Sequence, residues 1–183
     1  MTDVIVIAHG LSEIILCQGI FSQLGFTRFA IDSRDNGRKN ISMSGIADFM
    51  SSGDYPTTNR LHKKYPAFDY HISNRKVIFD DLRIFPMMDV DRDVEYLNSY
   101  RSRDLFRRSC VHDCVVPIWT DRSLDDAVRS FGYNITEDNK VRMYRKMMDE
   151  MTVEELLEGF ERYEGTNLEV FIRTIMEHTP RFQ

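Results

Sequence analysis

Two aspartates separated by one residue, directly behind an apolar run, form a pair that can turn both carboxylates toward one hard cation. Asp89-Val90-Asp91 stands in that position, behind Ile84, Phe85, Met87 and Met88. Once a chain leaves the pleat of a strand, neighbouring side chains no longer have to alternate between faces. Clustered carboxylates repel one another unless positive charge lies between them, and oxygen donors of this kind bind Mg²⁺, or Mn²⁺ in its place. Three further segments bring polar chemistry in behind an apolar stretch. They are His9, Gly10, Ser12 and Glu13; Asp32, Arg34, Arg38 and Lys39; and Asp121, Asp125 and Asp126. A cation held among such carboxylates could polarise a phosphodiester oxygen and activate an attacking water or hydroxyl, and a second could stabilise the leaving oxygen.

Those residues need elements that carry them to one place. Residues 4–8 are continuously apolar and rich in β-branched side chains, which predicts a strand covered on both faces, as in a parallel sheet. His9 and Gly10 end it. Ser12 is the expected N-cap of a helix through Ile14, Ile15, Ile20, Phe21 and Leu24 that stops at Gly25. A second short strand is expected at residues 29–31, then a polar loop over 32–40 and a weakly amphipathic helix through Ile41, Ile46 and Phe49. Residues 51–75, punctuated by Gly53, Pro56 and Pro66, predict no more than a short helix near 59–64. A third strand follows at 84–88, with a helix over 94–106. A fourth strand over 114–119 precedes a helix over 124–131 that ends at Gly132.

This alternation predicts an α/β fold with a short, mainly parallel sheet of about four strands flanked by helices. Such a domain would span residues 1–133. Residues 134–183 would form a small helical appendage packed on it, with a capping box at Thr152 and Glu155, a stop at Gly165 and a further helix capped by Asn167. Met143, Met147, Met148 and Met151 have mixed helical spacing that suits core or partner-helix packing.

In open α/β sheets ligands bind outside the carboxyl ends of the strands, where the segments named above would meet. An apolar strand, Gly10-Leu11-Ser12-Glu13 opening a helix, and a later strand ending in Met87-Met88-Asp89-Val90-Asp91 together resemble the TOPRIM domain of topoisomerases, primases and the OLD-like and RloB-like nucleases. The resemblance covers roughly residues 3–132. It implies a TOPRIM or Rossmann-like sheet, with Glu13 as a metal ligand or general acid/base and Asp89 and Asp91 as Mg²⁺ ligands. By analogy with some OLD-like relatives, it adds a further acidic ligand at Asp125 or Asp126. The implied activity is Mg²⁺-dependent cleavage of, or phosphoryl transfer on, DNA or RNA, in a bacterial or phage defence setting. There is room for a partner ATPase or other protein, and for an oligomer. Many members place their glutamate before or at the helix start, a little earlier than Glu13.

Each of these residues has a plainer reading beside it. Asp91 or Asp93 would serve as a helix cap, and Glu13 as a first-turn glutamate favoured by the helix dipole. His9 is a proton shuttle or a hydrogen-bonded structural histidine. Arg38 and Lys39 are a phosphate grip or an ordinary basic loop, and Arg101, Arg103, Arg107 and Arg108 a nucleic-acid groove or a solvated helix face. Two other functions compete. One is a haloacid-dehalogenase-like phosphatase, with the first aspartate as nucleophile; the other is a noncatalytic protein-binding or regulatory module using the same acidic rim.

Composition narrows the setting. The 183 residues, 42% of them hydrophobic, suffice for one core. No apolar run approaches the roughly 20 residues of a membrane span, and Met1-Thr2-Asp3 lacks a basic leader region, so a cytoplasmic protein without a membrane partner is expected. Cys17, Cys110 and Cys114 make an odd count that predicts reduced thiols, and Cys110-Val111-His112-Asp113-Cys114 lacks the second ligand pair of a structural zinc site. A net charge of -5 disfavours nonspecific attraction to phosphates, so contact with nucleic acid would need a local basic face.

Overall fold

The computed structural model of the chain describes residues 2–90 and 94–179. Asp91, with Arg92 and Asp93, lies outside the described residues. Six strands and eight helices are described: β1 (Asp3–Ala8), α1 (Leu11–Leu24), β2 (Phe29–Asp32), α2 (Ile46–Ser51), α3 (Thr58–Lys64), β3 (Tyr70–Ser73), β4 (Lys76–Phe79), β5 (Leu82–Asp89), α4 (Val94–Arg101), β6 (Ile118–Thr120), α5 (Leu124–Ser130), α6 (Lys140–Glu150), α7 (Val153–Arg162) and α8 (Leu168–Glu177). The fold is α/β, with a four-stranded sheet in the order β2-β1-β5-β6 and every neighbour parallel. No described helix is long and apolar enough to cross a membrane.

Every residue of β1 is buried, and its side chains divide by the period of two. Val4 and Val6 join Phe85, Met87 and Ile118 against α1 and α5 to α8, whereas Ile5 and Ile7 join Ile84 and Met88 against α2, Leu61 of α3 and Tyr100 of α4. The C-terminal helices therefore form much of one layer of the core. Tyr144, Met147, Leu156, Phe160, Phe171, Ile172 and Ile175 are all buried there.

The seam between β5 and β6 is built around prolines. Pro86 sits inside β5, where it has no N–H for the ladder. The Tyr100 hydroxyl enters from α4 and lies 2.6 Å from the Pro86 carbonyl and 3.0 Å from that of Ile118, so a side chain ties α4 to both strands at this seam. Pro117 precedes β6, which shortens the expected 114–119 strand to Ile118–Thr120. On the outer edge of β6, the Asn167 amide donates to the Pro117 carbonyl and its oxygen accepts from the Trp119 N–H. Asn167 therefore covers the sheet edge and makes no side-chain cap on α8.

Other expectations are adjusted for equally local reasons. Gly10, not Ser12, is the cap residue of α1, because Glu13 reaches back to accept from the Gly10 N–H at 2.8 Å. The helix expected through Ile41 begins only at Ile46. The one expected over 94–106 stops at Arg101, and Arg103 takes a left-handed φ of 66° before a 3-10 turn at Asp104–Phe106. Residues 70–79 form a hairpin whose turn, Asn74 and Arg75, has φ of 50° and 64°. Two consecutive positive φ values are what a type I′ turn requires; an arginine in place of the usual glycine hides it from sequence. The short helix near 59–64 and the capping box at Thr152 and Glu155 are present.

Replacing Tyr100 by Phe keeps the ring and removes the hydroxyl from two buried carbonyls. It should lower stability by about 1–3 kcal/mol, read as a smaller urea midpoint at unchanged m-value.

Candidate functional site

All four strands run the same way, so Gly10, Asp32, Asp89 and Thr120 mark one edge of the sheet. After β1 the chain adds a strand on one side as β2, then crosses to the other as β5. The order therefore reverses between β1 and β5, where an open α/β sheet leaves a crevice.

Glu13 and Asp125 stand at this edge, at 4% and 7% exposure, which is rare for carboxylates without partners. Their partners are internal. Glu13 Oε2 takes the Gly10 N–H, and Asp125 Oδ1 accepts from the Tyr144 hydroxyl at 2.9 Å and from Ser12 Oγ at 3.5 Å. Asp125 Oδ2 lies 2.9 Å from Lys140 Nζ. Ser12 and Glu13 come from α1, Asp125 from α5, and Lys140 and Tyr144 from α6.

The electrostatics agree with the contacts. Burial, then the charges of Asp125 and Glu13, drive the Tyr144 pKa far above that of an ordinary tyrosine, so its hydroxyl stays a donor. Burial opposes the Lys140 ammonium, but the hydrogen bond and charge of Asp125, with the charges of Glu137 and Glu13, outweigh it and raise its pKa. Burial foremost, aided by Glu13, also pushes up the pKa of the Cys17 thiol one turn further along α1.

Asp89, half-buried at the end of β5, accepts from the Leu124 N–H at 3.0 Å through Oδ1. It thereby holds the first residue of α5, the helix that carries Asp125. His9 brackets the backbone of Ile41: its N–H side of the ring, Nδ1, lies 2.8 Å from the Ile41 carbonyl, and its own carbonyl accepts from the Ile41 N–H. This draws residues 38–41 across the end of β1. Arg34 and Lys39 pair as a β-bridge around a 3-10 turn at Asp35–Gly37, and Gly37 has a φ of 79°. A Cβ on Gly37 would come 2.6 Å from Ile14 Cδ1 and 3.2 Å from the Leu11 backbone, so a glycine is needed to lay this loop over the start of α1. Arg38 and Lys39 are exposed on it, with Lys39 3.7 Å from Asp35.

The structure thus gathers Ser12, Lys140 and Tyr144 on Asp125, leaves Glu13 near enough for its charge to act on Lys140 and Tyr144, and places Asp89 against the start of α5. Arg38 and Lys39 sit on the loop above. Asp126 is turned to local work with Ser123 and Arg129. Among the other basic groups, Lys64 is engaged by Asp32 and Asp54, Arg107 by Asp104, and Arg101 stacks 4.1 Å from the Trp119 ring centroid. Among the described residues, no group of three or more His, Cys, Asp or Glu side chains stands arranged to hold a metal ion. The donors present are of the right kind: hard oxygens, with capacity beyond the one hydrogen bond Glu13 accepts. Lys140 and Tyr144 had no signal in the sequence, since they lie 15 and 19 residues beyond Asp125 in a helix with no motif of its own.

Comparison with protein-family models, with curated proteins and with solved structures finds no match to this chain.

Lys140 and Tyr144 both have folded-state pKa values above the unfolded ones, so their stabilisation is complete below the unfolded values and drains away as pH climbs. Wild-type stability should fall from about pH 10 upward, and the stability gap to Lys140→Met should narrow over the same alkaline range. Urea melts across that range measure both.

Proposed function

We propose that the protein is a Mg²⁺- or Mn²⁺-dependent enzyme that cleaves phosphodiesters or transfers phosphoryl groups on nucleic acid, at the carboxyl edge of its parallel sheet. The observation that supports this reading is that Glu13, Asp89 and Asp125, from three separate stretches, all stand at the carboxyl edge of the sheet, beside the reversal in strand order. The cation would be held by Glu13, Asp89 and Asp91, with Asp125 as a further donor. When bound it would supply the charge that polarises a phosphate oxygen and eases ionisation of an attacking water.

The chain's own residues have defined tasks in this scheme. Arg38 and Lys39 offer exposed cations to a phosphate from the loop that His9 and Gly37 hold in place. Lys140 balances the charge of Asp125, and Tyr144, held protonated, orients that carboxylate. With a net charge of -5, affinity for DNA or RNA would come from this local patch rather than from the whole surface. The resemblance to TOPRIM nucleases supports the same chemistry and a place in bacterial or phage defence, alongside a partner such as an ATPase.

A second reading has an observation in its favour. Glu13, Asp89 and Asp125 each accept a hydrogen bond from the chain itself, and Asp125 already has a lysine. A noncatalytic binding or regulatory module would use the same network purely to dock its helices.

Thermal denaturation with millimolar Mn²⁺ or Mg²⁺ separates the two. A metal enzyme should melt higher with the ion, since a ligand of the folded state raises apparent stability. Asp89→Asn and Glu13→Gln should abolish that rise, together with cleavage of plasmid DNA or structured RNA. Cleavage that survives in both variants would overturn the proposed chemistry; no metal response in the wild type would favour the binding module.

A further inference from the structure

The β3–β4 hairpin stands apart from the main sheet as a two-stranded ribbon, and all four residues of β3 are exposed. An isolated two-strand ribbon is marginal in water, and an edge strand presents unused backbone donors and acceptors. β4 has its outer side occupied: the Val77 N–H donates to Asn59 of α3. The bond from the Asp80 N–H to the Asp69 carbonyl sets the alternation of the ladder, which turns the backbone groups of Tyr70 and Ile72 outward from β3. Within its four residues β3 has no proline, lysine or bulge to turn a partner strand away. The outer edge of β6, by contrast, is covered by Asn167.

We propose that β3 is the interface of a homodimer, in which two copies pair their β3 strands antiparallel about a two-fold axis at His71. This goes beyond the metal chemistry and is independent of it. The register is dictated by the outward groups. With His71 on the axis, Tyr70 of each copy faces Ile72 of the other, and both residues have their N–H and C=O turned toward the partner strand. The same register closes the exposed apolar surface. Ile72 is 68% exposed and Tyr70 39%, and they become directly opposed cross-strand neighbours, a favoured aromatic and β-branched pair. The result is one four-stranded antiparallel sheet from two ribbons.

Charge selects a second copy as the occupant. The base of the hairpin is acidic, with Asp69, Asp80 and Asp81, and its tip is basic, with Arg75 and Lys76. Among the described residues, neither Arg75 nor Lys76 has an ion-pair partner, whereas Asp69 and Asp80 remain about half exposed beside Arg28 and His71. Antiparallel pairing sets the basic tip of each copy against the acidic base of the other, twice per dimer. A two-fold contact is self-complementary in just this sense.

Sedimentation velocity on the full chain, over a dilution series into the high micromolar range, tests the proposal. The wild type should sediment at twice the 21.6 kDa of one chain. Ile72→Lys, at an exposed position, should be monomeric, with a circular dichroism spectrum matching the wild type. Arg75→Glu should weaken dimerisation by roughly tenfold. Amide exchange gives a second readout: the Tyr70 and Ile72 amides should be protected in concentrated wild type and exchange freely in Ile72→Lys. A monomeric wild type, a dimer unaffected by both substitutions, or Tyr70 and Ile72 amides that exchange freely in the dimer would each overturn it. Metal binding lost or kept leaves these outcomes unchanged, so the dimer and the enzyme stand or fall separately.

Discussion

Two adjacent central strands, β1 and β5, bury their side chains on both faces, and neither face can be left to water. Fully burying a single Val, Leu, Ile, Phe or Met side chain is worth about 1.5–3 kcal/mol, so leaving either layer off would expose several such contributions at once. Val4, Val6, Phe85 and Met87 look one way, and Ile5, Ile7, Ile84 and Met88 the other. The chain meets this demand with α1 and α5 to α8 on one side and with α2 to α4 and the hairpin on the other. Because the strands are parallel, the same arrangement gathers their carboxyl ends on one edge, and with them Glu13, Asp89 and Asp125.

The seam between α1 and α6 shows how site and core depend on each other. At one end Asp125 gathers Ser12, Tyr144 and Lys140. In the middle, Gly19 lets Met148 approach so closely that an added Cβ would lie 2.6 Å from it. At the far end, the Gln23 amide donates to the carbonyls of Met148 and Met151 and so satisfies the last turn of α6. Residues that would tune a bound cation are thus the residues that dock the C-terminal helices. Removing a partner from a buried charge costs far more than the pair contributes when intact, so the network rigidifies the edge whether or not an ion binds there.

Edges are handled by side chains standing in for strands. Tyr100 ties α4 to the carbonyls of Pro86 and Ile118 at the β5–β6 seam, and Asn167 gives β6 the partner it would have had from a fifth strand. At the opposite, amino end of the sheet, buried Asp3 takes two hydrogen bonds from Arg28 and one from the Asp69 N–H, which closes that end with polar groups fully matched. Beside the covered edge of β6, the edge of β3 stands open.

The sequence by itself determined the parallel α/β class, the central strand, the helix stop at Gly25 and the capping box at Thr152. Each depends on neighbours within a few residues: a run of β-branched side chains, a left-handed glycine, a hydroxyl three residues before a glutamate. It also placed Glu13, Asp89 and Asp125 at strand ends and helix starts. Tertiary structure alone decided the rest. The hairpin turns on two non-glycine residues at positive φ, which composition does not announce. Asn167 left its expected capping role because a sheet edge 48 residues earlier competed for its amide. Tyr144 and Lys140 found Asp125 because burial leaves a carboxylate no water to turn to, and the nearest compensating groups lay on another helix.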